Sequence, residues 1–264
     1  MVDIDSDFLC ALAREAGSHA LDMAENLHAE LKPDQTFVTR VDREIERFLY
    51  EQLKNRYPHF AFLGEETGWH GSADGPLWAV DPIDGTTNMV YNIPIWGVSI
   101  ALLLDGEPVA GVFYIPRLDE LFYAQLGQGS YCNGIRLHSP DRTVLHLEDT
   151  IGFTSAAAKN LRTKALHGRI RCLGSIAADI AYVGRGSLAC LVGWSEGAYD
   201  MAAALLVAKE AGCVARYFSG QPVELKPLLT QGKTREPFII APPNTYELVR
   251  AELAIDNLQD SKEV

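Results

Sequence analysis

No stretch of this chain approaches the roughly 20 consecutive apolar residues that a bilayer span requires. The first residues, Met1 to Leu12, are acidic and carry neither the basic start nor the apolar stretch of a secretory signal, so a cytoplasmic protein is expected. Cysteines are few and scattered, at 10, 132, 172, 190 and 213, with no C-x-x-C pair. That excludes a disulfide framework and a zinc site and leaves free, buried thiols. Positive charge is also scarce: 23 Lys plus Arg stand against 35 Asp plus Glu, a formal net charge of -12. General attraction to nucleic acid or to an anionic membrane is thereby excluded. There is no low-complexity run and no internal repeat, and a composition 47% apolar and 22% charged is that of an ordinary globular protein. At 264 residues the length admits one large domain or two modest ones.

Apolar residues from Phe8 to about Leu31 recur every three or four positions, which predicts an amphipathic helix stopped by Lys32-Pro33. A second helix is expected from Val41 to Tyr57, with Pro58 as its stop. The texture then changes to short apolar runs broken by Gly, Pro and Asp, at 60–63, 77–80, 98–104, 109–114 and 121–124, which read as strands. Leu104-Asp105-Gly106-Glu107 has the residues of a hairpin turn, so part of the sheet should be antiparallel. Beyond Asn133-Gly134 strands and helices alternate. Strands are expected near 151–153, 170–172, 188–192, 214–217 and 238–241, and helices near 160–166, 177–183, 199–211 and 246–258. That alternation predicts a layered α/β unit, with a soft boundary near 138–148 between halves 1–140 and 141–264.

The informative segment is Trp78-Ala79-Val80-Asp81-Pro82-Ile83-Asp84-Gly85-Thr86-Thr87-Asn88. An apolar strand delivers Asp81 at its end, Pro82 bends the chain, and Asp84 follows three residues on, so both carboxylates can converge. Gly85-Thr86-Thr87 then opens a short helix whose N–H groups can meet an anion. A lone D-P-x-D-G reads equally well as a pair of turn caps. Gly64-Glu65-Glu66-Thr67 follows another apolar strand end, and two strands ending in acids favour hard cations such as Mg²⁺. An acidic protein that handles phosphate needs a local source of positive charge, which bound metal supplies.

Competing motifs fail on spacing. A calcium loop starting at Asp81 would need Glu where Asn92 stands. A phosphorylated-Asp mechanism wants two Asp residues two apart, whereas Asp81 and Asp84 are three apart, so water is the expected nucleophile. No G-x-x-x-x-G-K-[ST] is present, and Gly184-Arg185-Gly186 runs into an apolar stretch where a dinucleotide fingerprint would need a helix.

These segments, with Tyr199-Asp200-Met201-Ala202-Ala203 leading to Glu210-Ala211-Gly212, and Lys32 followed by Phe37-Val38-Thr39 and Asp42, resemble the inositol monophosphatase family of metal-dependent, lithium-sensitive phosphatases. Order and spacing agree over nearly the whole chain. The resemblance implies a layered α-β-α-β-α sandwich with the site between an N-terminal α+β half and a C-terminal α/β half. It implies that Glu65, Asp81 and the carbonyl of Ile83 hold a first metal and that Asp81 bridges to a second completed by Asp84 and Asp200. Glu65 would also face a third, looser ion. Mg²⁺ is the implied ion, two or three of them, with Mn²⁺ as a substitute and Li⁺ and Ca²⁺ as inhibitors. Thr86 and Asp42, with Glu65, would activate water. Gly85 and Thr86 would meet the phosphate, and Asp84, Gly174, Ser175, Ile176, Arg185 and Asp200 would complete the substrate pocket. A homodimer and a small phosphorylated metabolite as substrate are the implied partners. Asp200 before Met201-Ala202-Ala203 also suits a helix cap, which is compatible with metal binding.

The chain departs from the family pattern at Thr36, Met89, Tyr199 and Cys213, which bear on packing, and at Ala189 and Gly193. Gly193 stands seven residues before Asp200, where inositol-phosphate enzymes of the family carry a Glu that contacts substrate hydroxyls. Myo-inositol phosphate is therefore expected to be a poor substrate, with Arg185, Ser175 and Glu196 as candidates to line a different pocket. Inositol phosphate and histidinol phosphate lead the substrate classes, ahead of fructose 1,6-bisphosphate and an adenosine bisphosphate. The rival from another class is a catalytically silent regulatory module on the same fold.

Overall fold

The computed structural model describes residues 4–24, 27, 29–33, 35–72, 75–161 and 166–253. In chain order the first half forms α1 (Ser6–Met23), β1 (Ala29–Leu31), β2 (Phe37–Thr39), α2 (Arg40–Arg56), β3 (Ala61–Gly64), β4 (Gly68–His70), β5 (Leu77–Asp84), α3 (Thr86–Val90), β6 (Gly97–Leu104), β7 (Glu107–Ile115), β8 (Glu120–Gln125), β9 (Gly129–Cys132) and β10 (Ile135–Arg136). It continues with β11 (Thr150–Phe153), α4 (Ser155–Asn160), β12 (Arg169–Arg171), α5 (Ile176–Arg185), β13 (Cys190–Gly193), α6 (Ala198–Glu210), β14 (Val214–Tyr217), α7 (Leu225–Gln231), β15 (Phe238–Ala241) and α8 (Pro243–Glu252).

An eight-stranded sheet runs β10-β9-β8-β7-β6-β5-β3-β4 and a five-stranded sheet runs β12-β11-β13-β15-β14, with β1 and β2 as a small separate ribbon. The apolar faces of α1 and α2 cover the outer side of the large sheet around Trp78, Trp96 and Ile100. Between the sheets lie α5 and α6. The run Met201 to Ala208 is buried on every side, as a helix apolar all round its axis must be. Its alanines allow close approach: a Cβ at Gly111 of β7 would stand 2.8 Å from the Cα of Ala203. On the far side of the small sheet, α8 and Ala157 of α4 pack against Phe153, Ile239 and Val192. The layers are thus α-β-α-β-α, as the resemblance implies.

The hairpin at Asp105-Gly106 forms, with both residues in the left-handed region (φ 51° and 84°) that such a tight turn demands. The first helix is shorter than its apolar pattern. It ends at Met23, where the N–H of Ala24 closes onto Ala20 and Leu21, and Leu31 lies in the exposed β1 instead. The helix expected near 160–166 forms earlier, at Ser155–Asn160, because the Thr154 side chain caps the N–H of Ala157; residues 162–165 lie outside the described residues. The expected end of the last helix, 254–258, lies outside them too, and that helix starts three residues earlier than expected, at Pro243.

Candidate active site

Asp81 and Asp84 sit in the last residues of β5, where pairing to β6 slips: Asp81 lies opposite Ser99 but Asp84 opposite Gly97. Residues three apart on a regular strand point to opposite faces. The extra residue of this bulge, at Pro82-Ile83, lets both acids address one cavity. Gly85, at φ 92°, then turns the chain into α3.

That cavity, of about 780 Å³, opens between the two sheets. Glu65, Asp81, Ile83, Asp84 and Asp200 all line it, as do Gly85, Thr86, Gly174, Ser175 and Ile176. Each acid is held by donors. Asp81 Oδ1 accepts from the N–H of Ile83 at 2.9 Å. Asp84 Oδ2 accepts from the Ser175 hydroxyl and, at 2.9 Å, from the N–H of Ala177 at the start of α5. Asp200 Oδ2 takes the N–H of Gly197 at 2.9 Å: Gly197, not Asp200, is the N-cap of α6, and Asp200 reaches back to it from the helix's third residue. Glu65 Oε1 meets Lys32 Nζ at 2.9 Å. Among the described residues no three acids, histidines or cysteines meet in a preformed metal cage. Like charges at such spacing turn to the nearest local donors.

The electrostatics report a shortage of positive charge. Burial, then the negative charges of Glu65 and Asp84, pushes the Asp81 carboxyl well above its ordinary range. Burial, partly offset by its Ser175 and Ala177 hydrogen bonds, raises Asp84 to about 6. Asp200 also rises to about 6, through burial and the charge of Asp84. Glu65 is raised by burial and by Asp200 against the opposing pull of Lys32. Four carboxylates and a backbone carbonyl on one wall, all oxygen donors, fit hard divalent cations such as Mg²⁺.

Asp42 does not line the cavity itself; it stands behind it, fully buried in the first turn of α2. Its Oδ2 accepts from the N–H and the hydroxyl of Thr39, at 2.8 and 2.6 Å, completing a capping box. Its Oδ1 is 2.8 Å from the Thr86 hydroxyl, which is also 3.0 Å from the carbonyl oxygen of Ile83.

Arg185 requires a correction. It ends α5, a helix whose other end, at Ser175, touches the cavity, and at 1.5 Å per residue that places it about 15 Å away. Its guanidinium pairs with Glu120 at 2.5 Å and lies 4.2 Å from the centre of the Tyr182 ring. It lines no part of the cavity.

Three residues that sequence reasoning passed over shape the site. Glu46 of α2 is fully buried, and its two oxygens accept the N–H groups of Glu66 and Thr67, each at 2.8 Å, so it holds the turn that carries Glu65. Asn88 Nδ2 donates to the carbonyls of Ile95 and Leu173, at 2.6 and 2.7 Å, tying α3 to the segment before α5. Asp179 of α5 lines the cavity 1% exposed, and its Oδ1 has no hydrogen-bond partner among the described residues. Its signal was the four-residue spacing from Ser175, which puts both on one helix face. At Gly193 the structure explains the departure from the family pattern: a Cβ there would lie 2.2 Å from the Phe238 ring.

The inositol monophosphatase family model matches residues 4–253. A fructose-1,6-bisphosphatase/inositol-1-monophosphatase of Thermotoga maritima is 36% identical over 189 residues, spanning 70% of this chain and 72% of its own. The Nus factor SuhB of Salmonella typhimurium is 33% identical over 223 residues, spanning 79% of this chain and 83% of its own. The solved structure of an IMPase from Thermotoga maritima superposes with a TM-score of 0.83 at 30% identity, covering 93% of this chain and 94% of that one.

Proposed function

Because the chain belongs to the inositol monophosphatase family, whose members are phosphoric monoester hydrolases, we propose that it is a Mg²⁺-dependent phosphatase of a small phosphorylated metabolite. The observation that carries this reading is the convergence of Glu65, Asp81, Asp84 and Asp200 on one cavity beside the Asp42–Thr86 pair. Those four acids and the Ile83 carbonyl would hold two or three Mg²⁺ ions, with Mn²⁺ as a substitute and Li⁺ and Ca²⁺ as inhibitors. When bound, such ions neutralise the ester dianion and lower the pKa of water toward neutrality.

The chain's own residues do the rest. The Thr86 hydroxyl donates to Asp42, which leaves its oxygen lone pairs free to accept a hydrogen bond from the attacking water and so to orient it. Asp42, fixed by Thr39, keeps that hydroxyl from rotating. Gly85 and Thr86 present backbone N–H groups toward the phosphate. Water adds to phosphorus as the P–O bond to the alcohol breaks, and the alcohol leaves carrying a proton. Inositol phosphate and histidinol phosphate lead the substrate classes, with fructose 1,6-bisphosphate and an adenosine bisphosphate behind; a cytoplasmic homodimer completes the proposal.

Phosphate release from p-nitrophenyl phosphate and a panel of phosphomonoesters, with Mg²⁺ and with chelator, tests it. Metal-dependent turnover is expected. A folded protein that releases no phosphate from any ester would favour the second reading, a regulatory module, which draws support from the similarity to the Salmonella protein called a Nus factor.

A further inference from the structure

Once Glu65, Asp81, Asp84 and Asp200 are given to metal, two carboxylates of the cavity are left over. Asp179 sits one helical turn beyond Ser175 on the inner face of α5, 1% exposed, with Oδ1 unpartnered among the described residues. Glu196 follows β13, its backbone pinned when its N–H donates to the Thr234 hydroxyl at 3.2 Å. Both line the same cavity, and the charge of Glu196 reaches Asp179. Burial raises both, Glu196 to about 8, with Asp200 and Asp84 adding to the effect. Lys233 is the cation that offsets Glu196, and it is exposed.

A buried carboxylate without a partner is a costly feature that a fold keeps when something supplies the missing donor. Asp179 faces the cavity, so the donor comes from what enters it. The position where inositol-phosphate enzymes of the family carry an acid is filled here by the Phe238 ring against Gly193, and the acid that reaches the cavity instead is Glu196, three residues on.

We propose that Asp179 and Glu196 form an anionic subsite for the leaving group, selecting phosphomonoesters of alcohols that bear a protonated amine. This rests on the phosphatase reading and narrows it. A neutral polyol hydroxyl offers one dipole to one carboxylate oxygen, whereas an ammonium brings three donors and a full charge to a pair of acids in a site of low polarisability. The proposed metal ligands leave these two acids without a part in the hydrolysis; Asp179 sits on α5 and Glu196 just before α6.

The test uses a matched pair: 2-amino-3-hydroxypropyl phosphate and glycerol 1-phosphate, which differ only by ammonium against hydroxyl at the central carbon. The ratio of kcat/KM for the amine over the polyol is expected to exceed about tenfold in the native protein and to fall toward one in Asp179→Asn and in Glu196→Gln. A second readout needs no turnover: calorimetric titration of 2-amino-1,3-propanediol and of glycerol into the native protein in chelator at about pH 8.5, above the value to which burial raises Glu196, where only the amine should bind measurably. A native ratio near one, a ratio unchanged in both variants, or equal binding of the two free alcohols overturns the proposal. Loss of all metal-dependent hydrolysis, p-nitrophenyl phosphate included, sinks the phosphatase reading alone, and amine binding in chelator would then still uphold the subsite.

Discussion

Replacing Glu46 by Gln isolates how the metal-facing turn is held. The native carboxylate is buried and accepts two backbone N–H groups, from Glu66 and Thr67, each at 2.8 Å. Gln keeps one acceptor and sets an NH₂ against the other N–H, so one charge-assisted bond is lost and two donors face each other. A hydrogen bond to a charged group contributes about 1.5 to 3 kcal/mol, and an orphaned buried donor costs about 1 to 3 kcal/mol. The substitution should therefore cost roughly 2.5 to 6 kcal/mol, or about 5 to 24 °C in Tm at the 2 to 4 °C per kcal/mol usual for this size. The turn cannot relax inward, because Gly64 already lies so close that a Cβ there would stand 2.4 Å from the Glu46 carboxyl carbon. Glu65 should then lose its aim, and Mg²⁺ affinity should fall about tenfold or more, in the range seen when outer-shell partners are removed. Urea denaturation and calorimetric Mg²⁺ titration measure the two effects. Native-like stability together with native-like Mg²⁺ affinity in Glu46→Gln would refute the reasoning.

Thr86→Ala should lower kcat about 10² to 10⁴-fold, and Thr86→Ser should recover most of it, since only the hydroxyl that bonds Asp42 is required; equal rates for the two variants would remove Thr86 from the chemistry. Gly174→Ala should cost about 1 to 3 kcal/mol by thermal melting, since φ is 84° there and the new Cβ would lie 2.7 Å from Asn88 Oδ1. In chelator, stability should fall as pH rises from about 4 to 8. Asp84 and Asp200, ordinarily at 3.8, are raised to about 6, and Glu196 from 4.5 to about 8, so within that window the folded chain binds more protons than the unfolded one. Mg²⁺ should raise Tm more at pH 8 than at pH 5, and a Tm in chelator that climbs across this range would contradict the assignment of raised acids.

The cavity's ligand wall is legible in the sequence because its signals are local. A strand run ending in Asp81-Pro82-x-Asp84-Gly85, and another ending in Gly64-Glu65, state both where the acids are and which way the chain turns. Glu46 is illegible for the opposite reason. An acid on a helix otherwise patterned for one apolar face reads as solvated, and the N–H groups it serves come from residues 20 and 21 positions away. Arg185 misleads because its neighbours in sequence, Gly174 to Ile176, do reach the cavity, while the length of α5 carries the guanidinium off to Glu120. Elements such as β1 and β4, three residues each, are too short to show any period, and α7 is obscured by Pro227 in its first turn.

The two sheets contribute to one site only if the seam between them is fixed, and the seam is built from backbone. Asn88 on α3 grips Leu173 on the far side, Gly174 turns away at a left-handed φ where no side chain would clear Asn88, and Asp84 takes the N–H of Ala177 in the first turn of α5. Asp84, which we propose as a metal ligand, thus doubles as an anchor for the helix that carries Ser175 and Asp179. Charge on Asp84 is then coupled to the placement of α5: a cation that draws one oxygen of Asp84 leaves the other, Oδ2, holding Ser175 and Ala177. The proposed leaving-group wall is in this way oriented by the same carboxylate that is proposed to face metal, so one side chain would serve both specificity and catalysis.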